Sequence, residues 1–355
     1  MISSQSFSDI LTQARPIPHF YAAPPPLAAG RDSSIHLYDV CEGRRVSTVQ
    51  SRKYGASCIK FTHHEKTVVY ASTRVDHKLR LHSLHDNKYI RYFDGHRDQV
   101  TGVAVSAIND LVLSSGRDAT TRLWDLRRAA EFGTLRGATC IPQGAFDHQG
   151  LVFAVGDDPG VVKLFDMRKY TEGPFLKITA PEDFRPISGY SKILFSFDGA
   201  KVLTVGEAGV TVFDSFAGTH LATMTNYVTE EHERDPDQER DVAGKGTPDA
   251  CFTPDGQHVM VGGADHAIRI HHVPGPGTET ETETGRGGGA TTSTTSTTST
   301  PPPRVVAKLE GHAGRPTSMA WSTRRLVLGS ACHAVALWGP DLDVLKERGV
   351  LEHVV

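Results

Sequence analysis

Short runs in which apolar and polar residues alternate recur along most of this 355-residue chain. Alternation with a period of two is typical of a β-strand that buries one face. Each run ends in an aromatic residue or a histidine, and an aspartate often follows. The runs are SSIHLYD, HKLRLHS, TTRLWDL, VVKLFDM, GVTVFDS, AIRIHHV and AVALWGP.

The spacing of these runs indicates a repeat of about 42 residues. Other apolar runs precede each of them, such as VTGVAVS and DLVLSSG in the third repeat. Four strands per repeat describe a blade of a β-propeller. We therefore expect an all-β fold, a seven-bladed β-propeller over residues 31–340.

Two insertions lengthen the later repeats, at residues 230–245 and 276–303. The first contains the charged run EEHERDPDQERD, and the second is rich in Thr, Ser, Gly and Pro. Such segments bury too little apolar surface to offset the entropy of ordering, so we predict that both are disordered.

The two ends of the chain fit the repeat less well. Residues 1–30 predict an irregular segment with a possible partial blade, because three consecutive prolines at 24–26 fit poorly inside a strand. The first blade is accordingly expected to be degenerate or incomplete. No clear strand here could complete the last blade and close the ring. Residues 341–355 are expected to form a C-terminal tail.

Composition narrows the class of protein. The net charge of −3 gives no broad electrostatic attraction to nucleic acid or to anionic membranes. The five cysteines are odd in number and scattered, which argues against a disulfide framework and favours a reducing compartment. No signal peptide or membrane-spanning run is recognisable, so we expect no membrane partner.

The third repeat resembles the WD-repeat family, through Gly95-His96, VTGVAVS and LVLSSGRDATTRLWDLR. The resemblance implies a buried hydrogen-bonded latch within the blade. Its members would be His96, Ser114, Asp118 and Trp124.

A Ser–His–Asp set would also suit a hydrolase. The aspartate, however, recurs six residues before the aromatic position in other repeats, as Asp32, Asp76 and Asp265. A catalytic triad has no reason to repeat, whereas a structural latch does. Other repeats carry Pro159, Glu207 and Cys332 at this position, so their latches are predicted to be weak or absent.

Chemistry typical of enzymes is not recognisable in the sequence. The nucleophile motif G-x-S-x-G and a phosphate-binding Walker loop are absent. Histidine is abundant, but adjacent pairs such as His271-His272 point to opposite faces of a strand and cannot share one ion. We expect no catalytic residues, no metal and no cofactor.

A narrower resemblance rests on SLHDNKYIRYF at 83–93, with FTPDGQ and SACHAVALW further along. These segments are similar to the small WD-repeat subunit shared by the SET-domain histone methyltransferase complex (COMPASS) and the fungal cleavage and polyadenylation factor. The resemblance implies a non-catalytic nuclear scaffold. Its implied partners are the methyltransferase, other COMPASS subunits, the cleavage and polyadenylation factor, RNA polymerase II and, indirectly, chromatin. It also implies roles in mRNA 3′-end cleavage and transcription termination.

The same segment contains the candidate partner-binding residues. Tyr and Arg are over-represented at interface hot spots, and a polar turn precedes them here. An alternative is that Tyr89 only packs between blades. The candidates are Asp86, Asn87, Lys88, Tyr89 and Arg91.

A second function is also compatible with the sequence. Trp124-Asp125-Leu126-Arg127 and Phe165-Asp166-Met167-Arg168 resemble the W-D-x-R signature of substrate receptors in cullin-RING ubiquitin ligases. The motif is short, and many WD-repeat proteins carry it by chance.

Overall fold

A computed structural model describes most of the repeat region. Its secondary structure is almost wholly strands, with two short 3₁₀ turns at Tyr170–Glu172 and Glu182–Phe184. The predicted insertions, apart from Pro303, and the C-terminal tail lie outside the described residues. These are 15–16, 27–29, 34–39, 44–62, 64, 66–128, 131–137, 142–225, 249–275, 303–321, 327–332 and 335–339.

The strands form seven antiparallel sheets, which we number in chain order, and neighbouring strands in the chain pair with each other. The first sheet has three strands, β2 (Leu27–Ala29), β3 (Ser34–Asp39) and β4 (Arg44–Gln50). The second contains β5 (Ser57–Phe61), β6 (Thr67–Ala71), β7 (Leu79–Ser83) and β8 (Lys88–Phe93). The third contains β9 (Val100–Val105), β10 (Leu111–Gly116), β11 (Thr120–Asp125) and β12 (Glu131–Arg136).

The remaining sheets repeat this order. The fourth contains β13 (Gln143–Phe146), β14 (Val152–Asp158), β15 (Val161–Asp166) and β16 (Leu176–Thr179). The fifth contains β17 (Lys192–Phe195), β18 (Lys201–Gly206), β19 (Gly209–Asp214) and β20 (His220–Met224). The sixth contains β21 (Ala250–Phe252), β22 (His258–Gly262), β23 (Ile268–His272) and β24 (Val305–Leu309). The seventh contains β25 (Ser318–Trp321), β26 (Leu328–Ala331), β27 (Val335–Gly339) and β1 (Arg15–Pro16).

The first strands of the four-stranded sheets lie next to one another, β5 beside β9, β9 beside β13, and so on to β25. They therefore surround a central channel, and the fourth strands form the outer rim. Apolar side chains fill the space between sheets. Leu81 of the second sheet, for example, shares a buried cluster with Val103 and Trp124 of the third. This is the architecture of a β-propeller.

The prediction of seven blades is corrected to six complete ones in the described part of the chain. The first sheet has only three strands there, and its hydrogen-bond register matches the second, third and fourth strands of a complete sheet. Residues 17–26, which precede β2, lie outside the described residues.

A two-residue strand completes the seventh sheet. Arg15 pairs with Gly339 and Pro16 with Trp338, so the N-terminal part of the chain forms the outermost strand beside β27. Proline is tolerated at this position because one side of an edge strand has no partner. The sequence contains no recognisable signal for so short a strand.

A β-bulge recurs between the last two strands of five sheets, and the extra residue is apolar each time. A bulge redirects side chains and makes an edge strand a poorer template for further pairing. The bulge residues of the first three sheets are exposed on the rim. The five are Val46, Ile90, Phe132, Leu221 and Val306.

Candidate functional site

The third sheet contains the four residues that the WD-repeat resemblance indicated, and they form one hydrogen-bonded chain. The Trp124 indole N–H donates to Ser114 Oγ at 2.8 Å. The same hydroxyl lies 2.7 Å from His96 Nε2, and His96 Nδ1 lies 3.1 Å from Asp118 Oδ1. Because Nδ1 faces a carboxylate, the network assigns the imidazole proton to Nδ1, and Ser114 donates to Nε2.

Burial and hydrogen bonding determine the protonation states of His96 and Asp118 in this third-sheet network. Burial lowers the pKa of His96, although the carboxylate of Asp118 partly opposes that shift. Burial by itself would raise the pKa of Asp118, but hydrogen bonds from the Arg97 amide, the Thr120 hydroxyl and His96 lower it. The pair is therefore a neutral imidazole beside a carboxylate. Ser114 is fully buried with its oxygen engaged twice, so it cannot attack a substrate.

A second network of this kind lies in the seventh sheet, where we had predicted a weak latch or none. Ser330 Oγ accepts the Trp338 indole N–H at 2.6 Å and lies 2.6 Å from His312 Nε2. His312 Nδ1 lies 3.4 Å from Cys332 Sγ, so a thiol stands where the third sheet has a carboxylate. Gly311-His312, which repeats Gly95-His96, was the signal that could have revealed it.

The second sheet has a different arrangement at the equivalent place, a cluster of tyrosines around a buried arginine. The Arg80 guanidinium carbon lies 3.6 Å from the ring centroid of Tyr54, 5.2 Å from that of Tyr92 and 5.7 Å from that of Tyr89. A cation over an aromatic face is attracted by the ring quadrupole. Asp76 Oδ2 accepts a hydrogen bond from Arg80 Nη2 at 2.7 Å. We call these five residues the second-sheet cluster.

The second sheet also contains buried polar atoms that lack hydrogen-bond partners among the described residues. Arg80 is only 1% exposed, and its Nε and Nη1 have no hydrogen-bond partner among the described residues. The same holds within the described residues for Ser72 Oγ and His82 Nδ1. Buried N–H groups without acceptors are costly, and only the aromatic rings compensate Arg80 on these sides. The second-sheet cluster therefore contains buried hydrogen-bond donors without acceptors among the described residues.

Four of the predicted partner-binding residues lie beside this cluster, in the turn before β8 and along it, and the fifth, Tyr89, belongs to it. Asp86, Asn87 and Lys88 are exposed, and Asn87 has a positive φ of 50° that suits the turn. Tyr89 is half-buried. Its hydroxyl accepts a hydrogen bond from Tyr70 at 3.3 Å, and its ring lies 4.8 Å from that of His82.

Arg91 points toward the third sheet, where its guanidinium donates to the backbone carbonyl of Arg127. Sequence reasoning missed three nearby residues. Ile90 is the exposed bulge residue, Tyr92 is 47% exposed over Arg80, and Tyr54 comes from the loop before β5. Tyr92 and Ile90 were visible in KYIRYF as alternate positions of an edge strand. Tyr54 had no signal, because the fold alone brings it to Arg80.

A lysine lies at the edge of the cluster. Lys53 lies 5.0 Å from the Tyr54 ring centroid and, with its hydrogen bond as the main cause, lowers the pKa of the Tyr54 hydroxyl. Burial raises the pKa of Tyr70, which keeps that phenol neutral behind the cluster. The exposed part therefore offers aromatic faces and cations, a combination that suits protein–protein contacts.

The W-D-x-R segment of the third sheet is split between core and surface. Trp124 is buried in the network, whereas the Arg127 side chain is exposed and pairs with Asp110 at 2.8 Å.

No group of three or more potential metal ligands occurs among the described residues. Within the same part of the chain, no helix is long and apolar enough to cross a membrane.

Comparison with known proteins agrees with this geometry. Residues 87–125, which run from the second-sheet turn to the end of β11, match the family model "WD domain, G-beta repeat". WD repeat-containing protein 82 of Drosophila melanogaster is 35% identical over 69% of this chain and 72% of its own length. The chain belongs to the WD-repeat family.

Two fungal WD-repeat proteins are also similar to it. COMPASS component SWD2 of Saccharomyces cerevisiae is 32% identical over 69% of this chain and 70% of its own length. Set1 complex component swd2 of Schizosaccharomyces pombe is 34% identical over 57% of each chain. The similarity to both therefore extends well beyond a single repeat.

Proposed function

We propose that this WD-repeat protein is a non-catalytic scaffold subunit of a SET-domain histone methyltransferase complex of the COMPASS type. The observation that carries the proposal is its similarity to two fungal proteins whose names assign them to COMPASS and to the Set1 complex. A propeller suits a scaffold because its rim and faces offer several separate surfaces on one rigid body.

The second-sheet rim is the proposed docking surface for the methyltransferase. It consists of Lys88, Ile90 and Tyr92 on β8, with Tyr54 beside them. Ile90 and Tyr92 are about half exposed, and the buried Arg80 supports the tyrosine rings. Aromatic and arginine side chains around an apolar centre are the usual composition of a binding hot spot.

Finer assignments follow from the same proposal. The protein would reside in the nucleus and support methylation of lysine four of histone H3 at transcribed genes. It would also contact RNA polymerase II and the cleavage and polyadenylation factor, which links it to mRNA 3′-end processing and termination. The three-stranded first sheet would belong to the same propeller, because β2 lies against β5. The predicted bounds of 31–340 would then begin earlier, since β1 and β2 precede residue 31.

A matched pair of variants tests the docking surface. Ile90→Asp places a charge in the proposed hot spot, whereas Ile108→Asp places one on another exposed isoleucine. Each tagged protein is expressed in nuclei that lack the native protein, and the SET-domain methyltransferase recovered with it is quantified by immunoblot. We expect recovery to fall at least about tenfold for Ile90→Asp and to stay unchanged for Ile108→Asp.

The result that overturns the proposal is equally concrete. The unaltered protein would recover no methyltransferase above the level of an untagged control. Recovery of a cullin and its adaptor in its place would support the ubiquitin-ligase alternative, for which Arg127→Ala is the matching variant. Equal recovery with Ile90→Asp and Ile108→Asp would retain the complex but reject this surface.

A further inference from the structure

The outer rim carries one exposed apolar bulge residue on each of the first three sheets. The side chains of Val46, Ile90 and Phe132 are 56%, 49% and 38% exposed. A bulge protects an edge strand whatever side chain it carries, so edge protection does not require an apolar residue there. In the fifth and sixth sheets the corresponding Leu221 and Val306 are half-buried. Among the five bulge residues, the three exposed ones thus lie on successive sheets.

The rim strands β4, β8 and β12 belong to sheets that pack against one another. Val49 of β4 and Tyr89 of β8 lie in the same apolar cluster. Arg91 of β8 donates to the backbone carbonyl of Arg127, in the turn before β12. Since each of the three strands follows the same sequence of antiparallel neighbours, they run in the same direction and their bulges lie at equivalent positions. The exposed bulge residues therefore form a row across three sheets, which we call the rim row. Its central member, Ile90, belongs to the proposed docking surface.

Positive charge accompanies the rim row. Each of its strands begins beside an exposed cation that forms no salt bridge with a described residue. The three cations are Arg45, Lys88 and Arg128. Two exposed carboxylates also lie along the row, but Asp86 Oδ1 is 2.6 Å from His85 Nδ1, and Glu131 forms an ion pair with Arg122. Positive charge is thus in excess beside the apolar side chains, and charge complementarity favours an acidic partner.

We propose that the rim row binds one extended segment of a partner protein in which acidic residues are interspersed with apolar ones. The apolar side chains cover the bulge residues, and the carboxylates pair with the neighbouring cations. An extended chain covers about 3.3 Å per residue, roughly twice the rise of a helix, so a short segment can cross three sheets. A second copy of this chain is a poorer occupant, because its own row would bring like charges together. The inference rests on the proposed function only in placing this segment in the methyltransferase.

Site-specific photo-crosslinking on the full chain tests the rim row. The photoreactive residue p-benzoylphenylalanine replaces Val46, Ile90 or Phe132, one at a time, in tagged protein expressed in nuclei that lack the native protein. Val75 and Ile187 supply control positions, because they are 80% and 87% exposed but lie in turns outside the rim strands. The crosslinked peptides are identified by mass spectrometry.

We expect the three row positions to crosslink to one segment of the methyltransferase. The crosslinked residues should follow one another along that segment in the order of the sheets, with acidic residues between them. Neither control position should reach the segment.

Reversal of one charge supplies a second measurement, on a variant whose exposed site should leave the Tm unchanged. Lys88→Glu should lower the yield of the crosslink from position 90 by about fivefold, because it places a carboxylate beside an acidic segment. Lys66→Glu changes another exposed lysine of the second sheet, outside the rim row, and should leave that yield unchanged.

The proposal is overturned if the three row positions reach different segments or none, or if Lys88→Glu leaves the yield of the crosslink unchanged. Failure of the proposed function gives a different result. Crosslinks from all three positions to one acidic segment of another protein would retain the rim row and reject the methyltransferase as its partner.

Discussion

The second and third sheets surround the aspartate that precedes their third strand with different kinds of side chain. Both have an aspartate in the turn before the third strand and a basic residue four positions later, Asp76 with Arg80 and Asp118 with Arg122. In the third sheet, serine, histidine and tryptophan close the space behind that aspartate with hydrogen bonds. In the second sheet, tyrosine rings fill the space and leave polar atoms of Arg80 without partners.

The two neighbouring blades therefore differ in how completely their buried polar groups are paired. A fully satisfied buried network stabilises one geometry and offers nothing to a partner. An incompletely satisfied cluster costs stability, and its aromatic edge remains available for binding. Functional sites commonly depart from locally optimal structure in this way.

The largest expected effect is in the second sheet. Asp76→Ala removes the carboxylate that faces the buried Arg80 guanidinium, and breaking a buried pair on one side costs about 3–5 kcal/mol. Urea unfolding measures the loss in the free energy of unfolding. Asp86→Ala, which changes an exposed aspartate of the same sheet, should alter it by less than about 0.5 kcal/mol. Similar losses in the free energy of unfolding for Asp76→Ala and Asp86→Ala would show that the buried Arg80 does not require its carboxylate partner.

An intermediate effect is expected in the third sheet. Asp118→Ala leaves His96 Nδ1 and the Arg97 amide without their acceptor, at a cost of about 1–3 kcal/mol. The same urea titration measures it, and the exposed Asp183 supplies the control substitution Asp183→Ala. An unchanged midpoint for Asp118→Ala would show that the third-sheet network adds nothing to stability.

Replacing the basic residue should change the free energy of unfolding in opposite directions in the two sheets. The double variant Asp76→Asn/Arg80→Met removes both charges of the buried pair and keeps the volume, so we expect stability to stay equal or to rise by about 1 kcal/mol. The same variant should weaken methyltransferase recovery, because the tyrosine rings lose their cation. Arg122→Met breaks the ion pair with Glu131 in the third sheet, and we expect a small loss of stability. A loss in both variants would contradict the comparison.

The smallest effect is expected from mild acid. Burial lowers the folded-state pKa of His82 in the second sheet and of His96 in the third. Between each lowered pKa and the unfolded value of about 6.5, the unfolded chain binds more protons. Stability contributed by the neutral rings is therefore present above about pH 6.5 and is lost as the pH falls.

Melting temperatures from pH 7.5 to 5 measure that loss. His96→Asn should flatten the profile, and so should His82→Asn, since neither ring can then titrate. Profiles parallel to that of the unaltered protein would mean that these two histidines do not drive the acid sensitivity.

Much of the fold was predictable because strand alternation and turn chemistry are local. The runs ending at Trp124 and Phe165 coincide with β11 and β15. The members of the third-sheet network were also identifiable, since they follow a spacing that the family repeats. The strand at Arg15–Pro16 was not, because two residues carry no periodicity and only pairing with β27 defines it.

Only part of the candidate surface could be predicted from the sequence. Tyr89 and Arg91 were recognisable in one contiguous segment, but the cluster is completed by Tyr54 and Arg80 from other elements. The seventh-sheet network was missed for a different reason. Cys332 replaces the expected aspartate, and a search by residue type does not recognise an arrangement in which a thiol takes the place of a carboxylate.

The pairing of Arg15 with Gly339 has a consequence for the order of events during synthesis. Arg15 leaves the ribosome early, whereas its partner is made only after all the other sheets. The nascent propeller therefore passes through an open stage in which β27 and the N-terminal segment are unpaired edges. Unpaired strand edges can pair with the wrong strand, and the pairing of β1 with β27 forms slowly because the two strands are far apart in sequence. Newly made chains should thus depend most on chaperones in the interval before β27 pairs with β1.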